Sequence, residues 1–587
     1  MYILSIHNGH DSSVALVKDG CIVSAVQEER FTRVKNDSSF PVKSIKYTLE
    51  NAGITSLDID EVVIAFRYMP MDFFKFFRLG HDNQIFRKIL QHEARDEKIY
   101  RKMFNLLRGD YTYKKNRALY NAQVISVPVY FDTFELRDDC NIVLEGHHVL
   151  HAASTFFTSG FNESETLIVT ADGKGWDTTI AVWQVKNNII CPIIKYGIDA
   201  SIGHFYSNAT EALGWIHGMD EWKLMGLAPY GTAREEIIHE LMKYAPEFNR
   251  NLLVKPQNYG NFYSFNDHGT IHFHNEQVHE ITKVLQKTSR EDFAASVQKI
   301  AETEMMQLIS YWGNHFKKKY LCCSGGFFMN VKVNQILHEA DLFDDVWIYS
   351  EAGDSGLAVG GALKNYYSKY PNEKPQRIRS VYWGPEFDNE AIKTILIDRG
   401  IECNYFENIE KKTADLLQKN YVVGWFQGRM EAGARALGNR SILMSPIVKE
   451  NKDLINRKIK YREHFRPFAP SILYEKASEY IENCRDEFFM MSSFRAVEKN
   501  KNMIPAVVHV DNTLRAHLVK EDHNRRYYQL LKEFGLSTGV YVLLNTSMNV
   551  KGEPIVCSPR EAIKCFYDTG MDALVMGNYI ITKMGVK

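Results

Sequence analysis

The chain has 587 residues, of which 45% are hydrophobic and 24% charged, with a formal net charge of −1. That length accommodates several domains with large cores, and the charge balance argues against a chain-wide affinity for nucleic acid or an anionic membrane, leaving only local basic pockets. The nine cysteines are odd in number and contain no C-x-x-C, which argues against a disulfide framework and fits a reducing cytosol. The start M-Y-I-L-S-I-H-N-G-H-D has no basic leader, and no run approaches the roughly 18 apolar residues of a membrane span. A cytoplasmic protein without a membrane partner is therefore expected.

Residues 2–29 read as three strands, Y-I-L-S-I-H, S-S-V-A-L-V and C-I-V-S-A-V-Q-E-E, joined by the turns N-G-H-D and K-D-G. A helix follows near 42–52 and ends at Gly53. Residues 70–125, rich in Phe, Tyr, Arg and Lys at helical spacing, read as a helical insertion that covers an acceptor site. The stretch G-H-H-V-L-H-A-A-S-T-F-F opens an amphipathic helix from Gly146. His147 and His151 stand four apart, about 40° around the helix axis, so they share one face. Such a pair can hold one metal ion, although ordinary surface or core histidines also occur at this spacing. His148 lies about 100° away on the same wheel, and is placed behind the ligands or facing an acceptor.

Residues 166–198 repeat the first pattern. T-L-I-V-T-A-D-G, D-T-T-I-A-V-W-Q-V and I-I-C-P-I-I-K-Y-G form a second three-strand meander, and H-D-S-S-V-A-L-V-K-D-G-C-I resembles W-D-T-T-I-A-V-W-Q-V-K-N-N-I. Two unrelated meanders would give the same pattern. A duplicated ribonuclease-H-like core, the layout of the actin-like ATPases, explains it as one event. Asp172 ends the first strand of this second unit, and Asp354 sits in Y-S-E-A-G-D-S-G-L-A-V-G-G-A. Two histidines and two carboxylates suit a borderline divalent ion such as iron, zinc or manganese.

Residues 207–231 read as helix and loop, and 290–318 as a long amphipathic helix. L-C-C-S-G-G-F-F-M-N is a buried strand entering Gly325-Gly326 before a helix from Val331, a place where backbone can approach an anionic ligand. The polar segment 364–380 marks a domain boundary, giving domains 1–370 and 371–587. Beyond it helices and strands alternate, with a capping box at Ser558 and Glu561. From Arg429 to Arg466 there are ten Lys or Arg against four acids. Such a run is ordinarily a solvated face. Here Arg435 and Arg440 lie among Gly, Ala and Leu, and Arg466 precedes P-F-A-P, surroundings in which a guanidinium requires a partner such as phosphate.

These features lead to a family resemblance. G-H-D-S-S-V-A-L-V, V-Q-E-E-R-F-T-R-V-K, G-H-H-V-L-H-A-A-S-T-F-F, A-D-G-K-G-W-D-T-T, K-L-M-G-L-A-P-Y-G, C-S-G-G-F-F-M-N-V-K-V-N, G-D-S-G-L-A-V-G-G-A, A-G-A-R-A-L-G-N-R-S-I-L, K-Y-R-E-H-F-R-P-F-A-P and L-N-T-S-M-N-V-K-G-E-P-I-V follow one another over almost the whole chain. In that order they resemble the O-carbamoyltransferases of the nodulation-protein, cephamycin and tobramycin type. The resemblance implies a transferase of secondary-metabolite biosynthesis. Its smaller α/β C-terminal domain, similar to threonylcarbamoyl-adenylate synthase, makes carbamoyl adenylate from carbamoyl phosphate and ATP. Its N-terminal domain passes the carbamoyl group to a hydroxyl of a small-molecule acceptor.

By the same resemblance His147, His151, Asp172 and Asp354 ligate Fe²⁺ or another divalent metal, and Mg²⁺ accompanies ATP. His10, otherwise a turn histidine, is the general base or the oxyanion stabiliser. Lys35, Gly325, Gly326 and Asn330 contact the nucleotide or carbamoyl adenylate. Arg429, Arg440, Lys460, Arg466, Arg515 and Asn545 bind ATP and carbamoyl phosphate. A small-molecule kinase of the actin-like fold is the alternative reading, against which the histidine pair stands, since phosphoryl transfer uses oxygen-held Mg²⁺. A tRNA-modifying transferase is the other, disfavoured by the net charge. The acceptor and the oligomeric state stay open, a homodimer being compatible.

Overall fold

The computed structural model describes residues 1–65, 134–175, 178–249 and 275–583, with four short strands in between at Phe77–Arg78, Val254–Lys255, Tyr263–Phe265 and Ile271–Phe273. The helical insertion expected over 70–125 lies outside the described residues.

The two meanders build two sheets of one topology. In the first, β1 (Tyr2–His7), β2 (Ser13–Lys18) and β3 (Cys21–Gln27) run antiparallel, and β1 continues in parallel to β4 (Glu61–Ile64) and β5 (Asn141–Leu144). In the second, β6 (Thr166–Gly175), β7 (Thr178–Lys186) and β8 (Ile189–Tyr196) run antiparallel, and β6 continues in parallel to β9 (Tyr320–Ser324) and β10 (Asp345–Ile348). The strand order is 3-2-1-4-5 twice, so the sequence repeat is a structural duplication of the actin-like ATPase kind.

β1 shows why these strands read as apolar runs. Leu4 and Ile6 pack in an outer cluster with Ile45 and Leu49 of helix α1 (Val42–Ala52), while Ile3 joins the main core. Both faces are buried, as for strands covered on two sides. Helix α2 (His147–Ser159) closes the first unit and lies against β6 and β9 of the second, and α6 (Leu357–Lys369) closes the second and lies against β1 and β2. The two helices cross between the sheets. A Cβ at Gly360 of α6 would come within 2.1 Å of the Leu150 carbonyl of α2, and one at Gly361 within 2.4 Å of Ser5 Oγ. Glycine at 360 allows the two helix backbones to touch, and glycine at 361 lets α6 settle onto strand β1.

Three further helices matter for the site: α3 (Glu221–Leu227), α4 (Arg290–Phe316) and α5 (Val331–Glu339). The C-terminal part centres on an eight-stranded mixed sheet. Its strands are β11 (Asn404–Tyr405), β12 (Val423–Phe426), β13 (Arg440–Met444), β14 (Ala469–Leu473), β15 (His517–Val519), β16 (Val542–Ser547), β17 (Ala573–Met576) and β18 (Tyr579–Thr582), in the order 11-18-17-12-13-16-14-15. Helices α7 (Arg525–Thr538) and α8 (Pro559–Tyr567) pack with it. The expected capping box opens α8, where the Glu561 carboxylate accepts from the backbone N–H groups of Cys557 and Ser558 at 2.6 and 3.1 Å. One continuous core runs from the second sheet into the third. Among the described residues all nine cysteines are free, and no helix is long and apolar enough to cross a membrane.

Candidate functional site

The candidate metal set comes from three elements that meet between the two actin-like sheets. Gly146, in extended conformation, leads into α2, whose first turn carries His147 and whose second carries His151. Asp172 lies on β6, and Asp354 follows β10 at the 3₁₀ turn that leads into α6. The two imidazole Nε2 atoms are 3.1 Å apart. Asp172 Oδ2 lies 2.9 Å from His147 and 3.4 Å from His151, and Asp354 Oδ1 lies 3.5 Å from each. One donor atom from each residue falls within 4.8 Å of all the others.

The donor chemistry fits a cation. Burial opposes charge on His151, yet the Asp172 and Asp354 carboxylates beside it raise its pKa to about 9. Both carboxylates are held below their usual range, against the burial that would raise them, by the facing imidazoles. The pocket thus favours positive charge at its centre, which a divalent ion supplies more effectively than a proton. The remaining ring nitrogen of His151 faces Ser324 Oγ at 3.3 Å, which orients the ring.

His148 does not face an acceptor. Its Nε2–H donates to the Thr178 carbonyl at 2.9 Å and its Nδ1 meets the Thr170 hydroxyl at 3.0 Å. Burial pushes its pKa down to about 3, so it is a neutral tie between α2 and strands β6 and β7. His10, in the turn after β1, is half exposed and lies 3.2 Å from Asp11. The Asp11 carboxylate raises its pKa to about 9, so near neutrality the ring donates and is not free to accept. His7, which sequence reasoning missed, sits at the end of β1 with Nε2 donating to the His10 carbonyl at 3.0 Å and Nδ1 buried without a hydrogen-bond partner. Its only sequence signal is its place at a strand end beside N-G-H-D.

The glycine pair after β9 is as tight as the sequence suggested. Gly325 has φ +108°, and a Cβ there would lie 2.1 Å from the Ala171 carbonyl oxygen; one at Gly326 would lie 2.9 Å from Asp172 Oδ1. Gly325→Ala is expected to destabilise the fold by more than about 2 kcal/mol, since strain and overlap add, read as a lowered midpoint in denaturant unfolding. Asn330 caps α5: its Oδ1 accepts from the N–H groups of Lys332 and Val333, and its Nδ2 donates to Gln298 of α4. Asn330 also hydrogen-bonds the buried Tyr206 hydroxyl, so its side chain is committed within the protein. Lys35 is exposed and close enough to Lys460 to lower that residue's pKa.

The basic run divides into two groups. Arg440, expected at a phosphate, is not available to one. It is fully buried over the Phe426 ring at 3.8 Å, and its fork donates to the carbonyls of Gln427, Gly428, Asn439 and Pro385. Arg429 is similarly committed: it donates to the carbonyls of Gly384, Trp383 and, across to β3, Val23. Lys460 ends a π-helical turn, Asn456–Lys460, and its ammonium is held by the backbone and side-chain oxygens of Ser547 and Asn549. Asn545 uses both N–H groups on the Ala436 carbonyl and Ser471 Oγ, while its own Oδ1 is buried without a partner.

The second group is a like-charge cluster. Arg515 senses the positive charges of Arg435, Arg462 and Arg466, and burial together with these neighbours holds its pKa well below the usual guanidinium range. Its Nε is buried without a partner. Burial likewise brings Arg435 and Arg466 down to about 10. The ion pairs among the described residues give these four arginines a single carboxylate, Glu463 at 3.6 Å from Arg466. Half-buried guanidinium groups this short of counter-charge have the chemistry to receive a polyanion. Arg435 is one of the arginines for which the sequence expects a phosphate partner, whereas Arg462 falls in the same basic run with nothing local to single it out.

The C-terminal part also touches elements of the two N-terminal units. Arg466 stacks on Trp222 of α3, Lys332 of α5 pairs with Asp511 at 2.9 Å, and Arg30 donates to the Gly433 carbonyl at 2.7 Å.

A duplicated unit of actin-like topology carrying a largely buried His₂Asp₂ set, joined to a mixed-sheet unit with excess arginine, defines a two-part α/β protein. Residues 2–363 match the family described as carbamoyltransferase N-terminus and residues 414–583 the one described as carbamoyltransferase C-terminus. The chain belongs to the carbamoyltransferase family and is an enzyme of that class. An uncharacterised protein of Synechocystis is 35% identical to it, covering 98% of this chain and 95% of that one. Nodulation protein NolNO of Sinorhizobium fredii is 33% identical, covering 98% and 79%. Nodulation protein U of the same species is 26% identical, covering 96% of each.

Proposed function

We propose that this carbamoyltransferase works in two half-reactions at two sites. The observation that carries the reading is the pairing of a cation-seeking His₂Asp₂ pocket with a separate, uncompensated arginine pocket in one chain. At the arginines, carbamoyl phosphate and water give carbamate and phosphate, and the carbamate oxygen attacks the α-phosphorus of ATP to give carbamoyl adenylate and pyrophosphate. Arg435, Arg462, Arg466 and Arg515 bind the phosphates and the expelled pyrophosphate. Lys460 is braced beside them on Ser547 and Asn549. Mg²⁺ accompanies ATP.

At the second site an acceptor hydroxyl attacks the carbamoyl carbon. The new ester C–O bond forms, the C–O bond to the phosphate breaks, AMP leaves as an anion, and one proton is released. A divalent ion held by His147, His151, Asp172 and Asp354, Fe²⁺ by the family resemblance, would polarise the adenylate as a Lewis acid. Protonated His10 donates to the carbonyl oxygen as negative charge develops there. Gly325 and Gly326 let the nucleotide approach the backbone closely. The acceptor is a hydroxyl on a small molecule.

The test is a product analysis with ATP, carbamoyl phosphate and a panel of alcohols. AMP, pyrophosphate and an acceptor heavier by one carbamoyl group are expected. ADP with a phosphorylated acceptor would make the protein a kinase, and turnover dependent on tRNA would make it a tRNA modifier.

The role of His10 predicts a pH dependence. In transfer from supplied carbamoyl adenylate the active form is protonated, so the rate is expected to hold below the pKa of about 9 and fall as pH rises through it. Asp11→Asn removes the cause of the shift and is expected to bring that fall down toward the ordinary histidine value. A pH profile unmoved by Asp11→Asn would remove His10 from the donor role.

A further inference from the structure

We propose that Trp222 is a positioning residue for the arginine pocket: its indole sets the plane of Arg466, so the pocket on the C-terminal sheet is completed by helix α3 from the other part of the chain. The inference rests on the two-site reading above and names the contact on which its first half-reaction depends.

The indole is itself fixed. Its Nε1–H donates to the Met219 carbonyl at 3.0 Å, tying the ring to the loop that precedes α3. The Arg466 guanidinium carbon lies 3.5 Å from the ring centroid, the distance of face-on stacking. A guanidinium stacked this way keeps its N–H groups in the plane and free at the edge, where a phosphate binds two at once. Arg466 needs such a hold, because Arg515 and Arg462 repel it and Glu463 is its one carboxylate partner among the described residues.

Glu463 is in turn drawn aside. Lys223, next to Trp222, lies 3.8 Å from Glu463 while pairing with Asp220 at 2.8 Å. The same segment holds Phe465, the residue just before Arg466, on its other side. Tyr230 donates its hydroxyl to the Phe465 carbonyl at 3.4 Å, and Phe465 packs against Trp215. The stretch 215–230 thus grips the loop that presents Arg466, stacks its guanidinium and shares the carboxylate that would neutralise it. None of these contacts touches the metal set, so the effect is confined to anion binding.

The experiment uses the full chain with Trp222→Ala and Trp222→Phe, and pyrophosphate as the calorimetric probe. Trp222→Ala is expected to weaken pyrophosphate binding by about ten-fold, the scale of a partly desolvated cation–π contact. It is also expected to raise the KM for ATP with carbamoyl transfer from supplied carbamoyl adenylate unchanged. Trp222→Phe keeps a ring face and is expected to recover most of the affinity, which a role in packing alone would not require. Lys223→Gln provides a second reading if Trp222→Ala does not fold: Glu463 then turns to Arg466, and pyrophosphate binding is expected to weaken in the same direction. Unchanged affinity in Trp222→Ala, or no recovery in Trp222→Phe, overturns the inference. Wild-type enzyme that binds pyrophosphate but releases none from ATP and carbamoyl phosphate overturns the two-step reading and leaves the binding result standing.

Discussion

A His147→Ala enzyme is expected to lose its bound divalent metal and its carbamoyl transfer while still releasing pyrophosphate from ATP and carbamoyl phosphate. His147 Nε2 is the atom nearest the middle of the set, 2.9 Å from Asp172 and 3.1 Å from His151. Without it three donors remain, two of them carboxylates that repel each other. Loss of a ligand from such a set lowers metal affinity by at least the 10- to 100-fold typical of losing even an outer-shell partner. Metal content by mass spectrometry and the two half-reactions assayed separately check this. Equal loss of both half-reactions would argue that they share one site.

An Arg515→Met enzyme is expected to be at least as stable as wild type and yet fail at adenylate formation. The folded state crowds Arg515 with Arg435, Arg462 and Arg466 and leaves its Nε unbonded. Replacing it with an apolar side chain of similar length removes repulsion and an unsatisfied buried group, both of which oppose folding. The same change removes a charge from the polyanion receptor, a loss of roughly 2–5 kcal/mol for a desolvated charge contact. Pyrophosphate release should drop by two orders of magnitude or more, with transfer from supplied carbamoyl adenylate preserved. A lower melting temperature with unchanged pyrophosphate release would make Arg515 a structural residue.

Much of this arrangement is written in short stretches of sequence, and those parts are legible. The two meanders repeat within a few dozen residues, the histidine pair follows from helix geometry, and the glycines after β9 sit where backbone must pass backbone. The arginines are different. Arg435 and Arg440 stand in one motif, among the same small residues, and only one of them faces the pocket. The distinction lies in pairing: Arg440 opens β13 opposite Phe426 of β12, which places the carbonyls of Gln427 and Gly428 around its fork. Which carbonyls surround a guanidinium is settled by strand register and long-range packing, and neither is visible in composition. Trp222 was passed over for the same reason, since its partner Arg466 lies in another domain's loop. His148 differs from His147 by one position, yet the helix turns it toward Thr170 and Thr178, where hydrogen bonds keep it neutral.

The contact of α2 with α6 at Gly360 has a consequence for selectivity. One helix carries both imidazoles and the other begins just after Asp354, and they meet with no side chain between them. Neither can slide or roll without colliding with the other's main chain, so the gauge of the donor set is fixed by bare peptide against peptide. Were an ion held there as proposed, a cage with so little give would sort candidates by radius as well as by ligand preference.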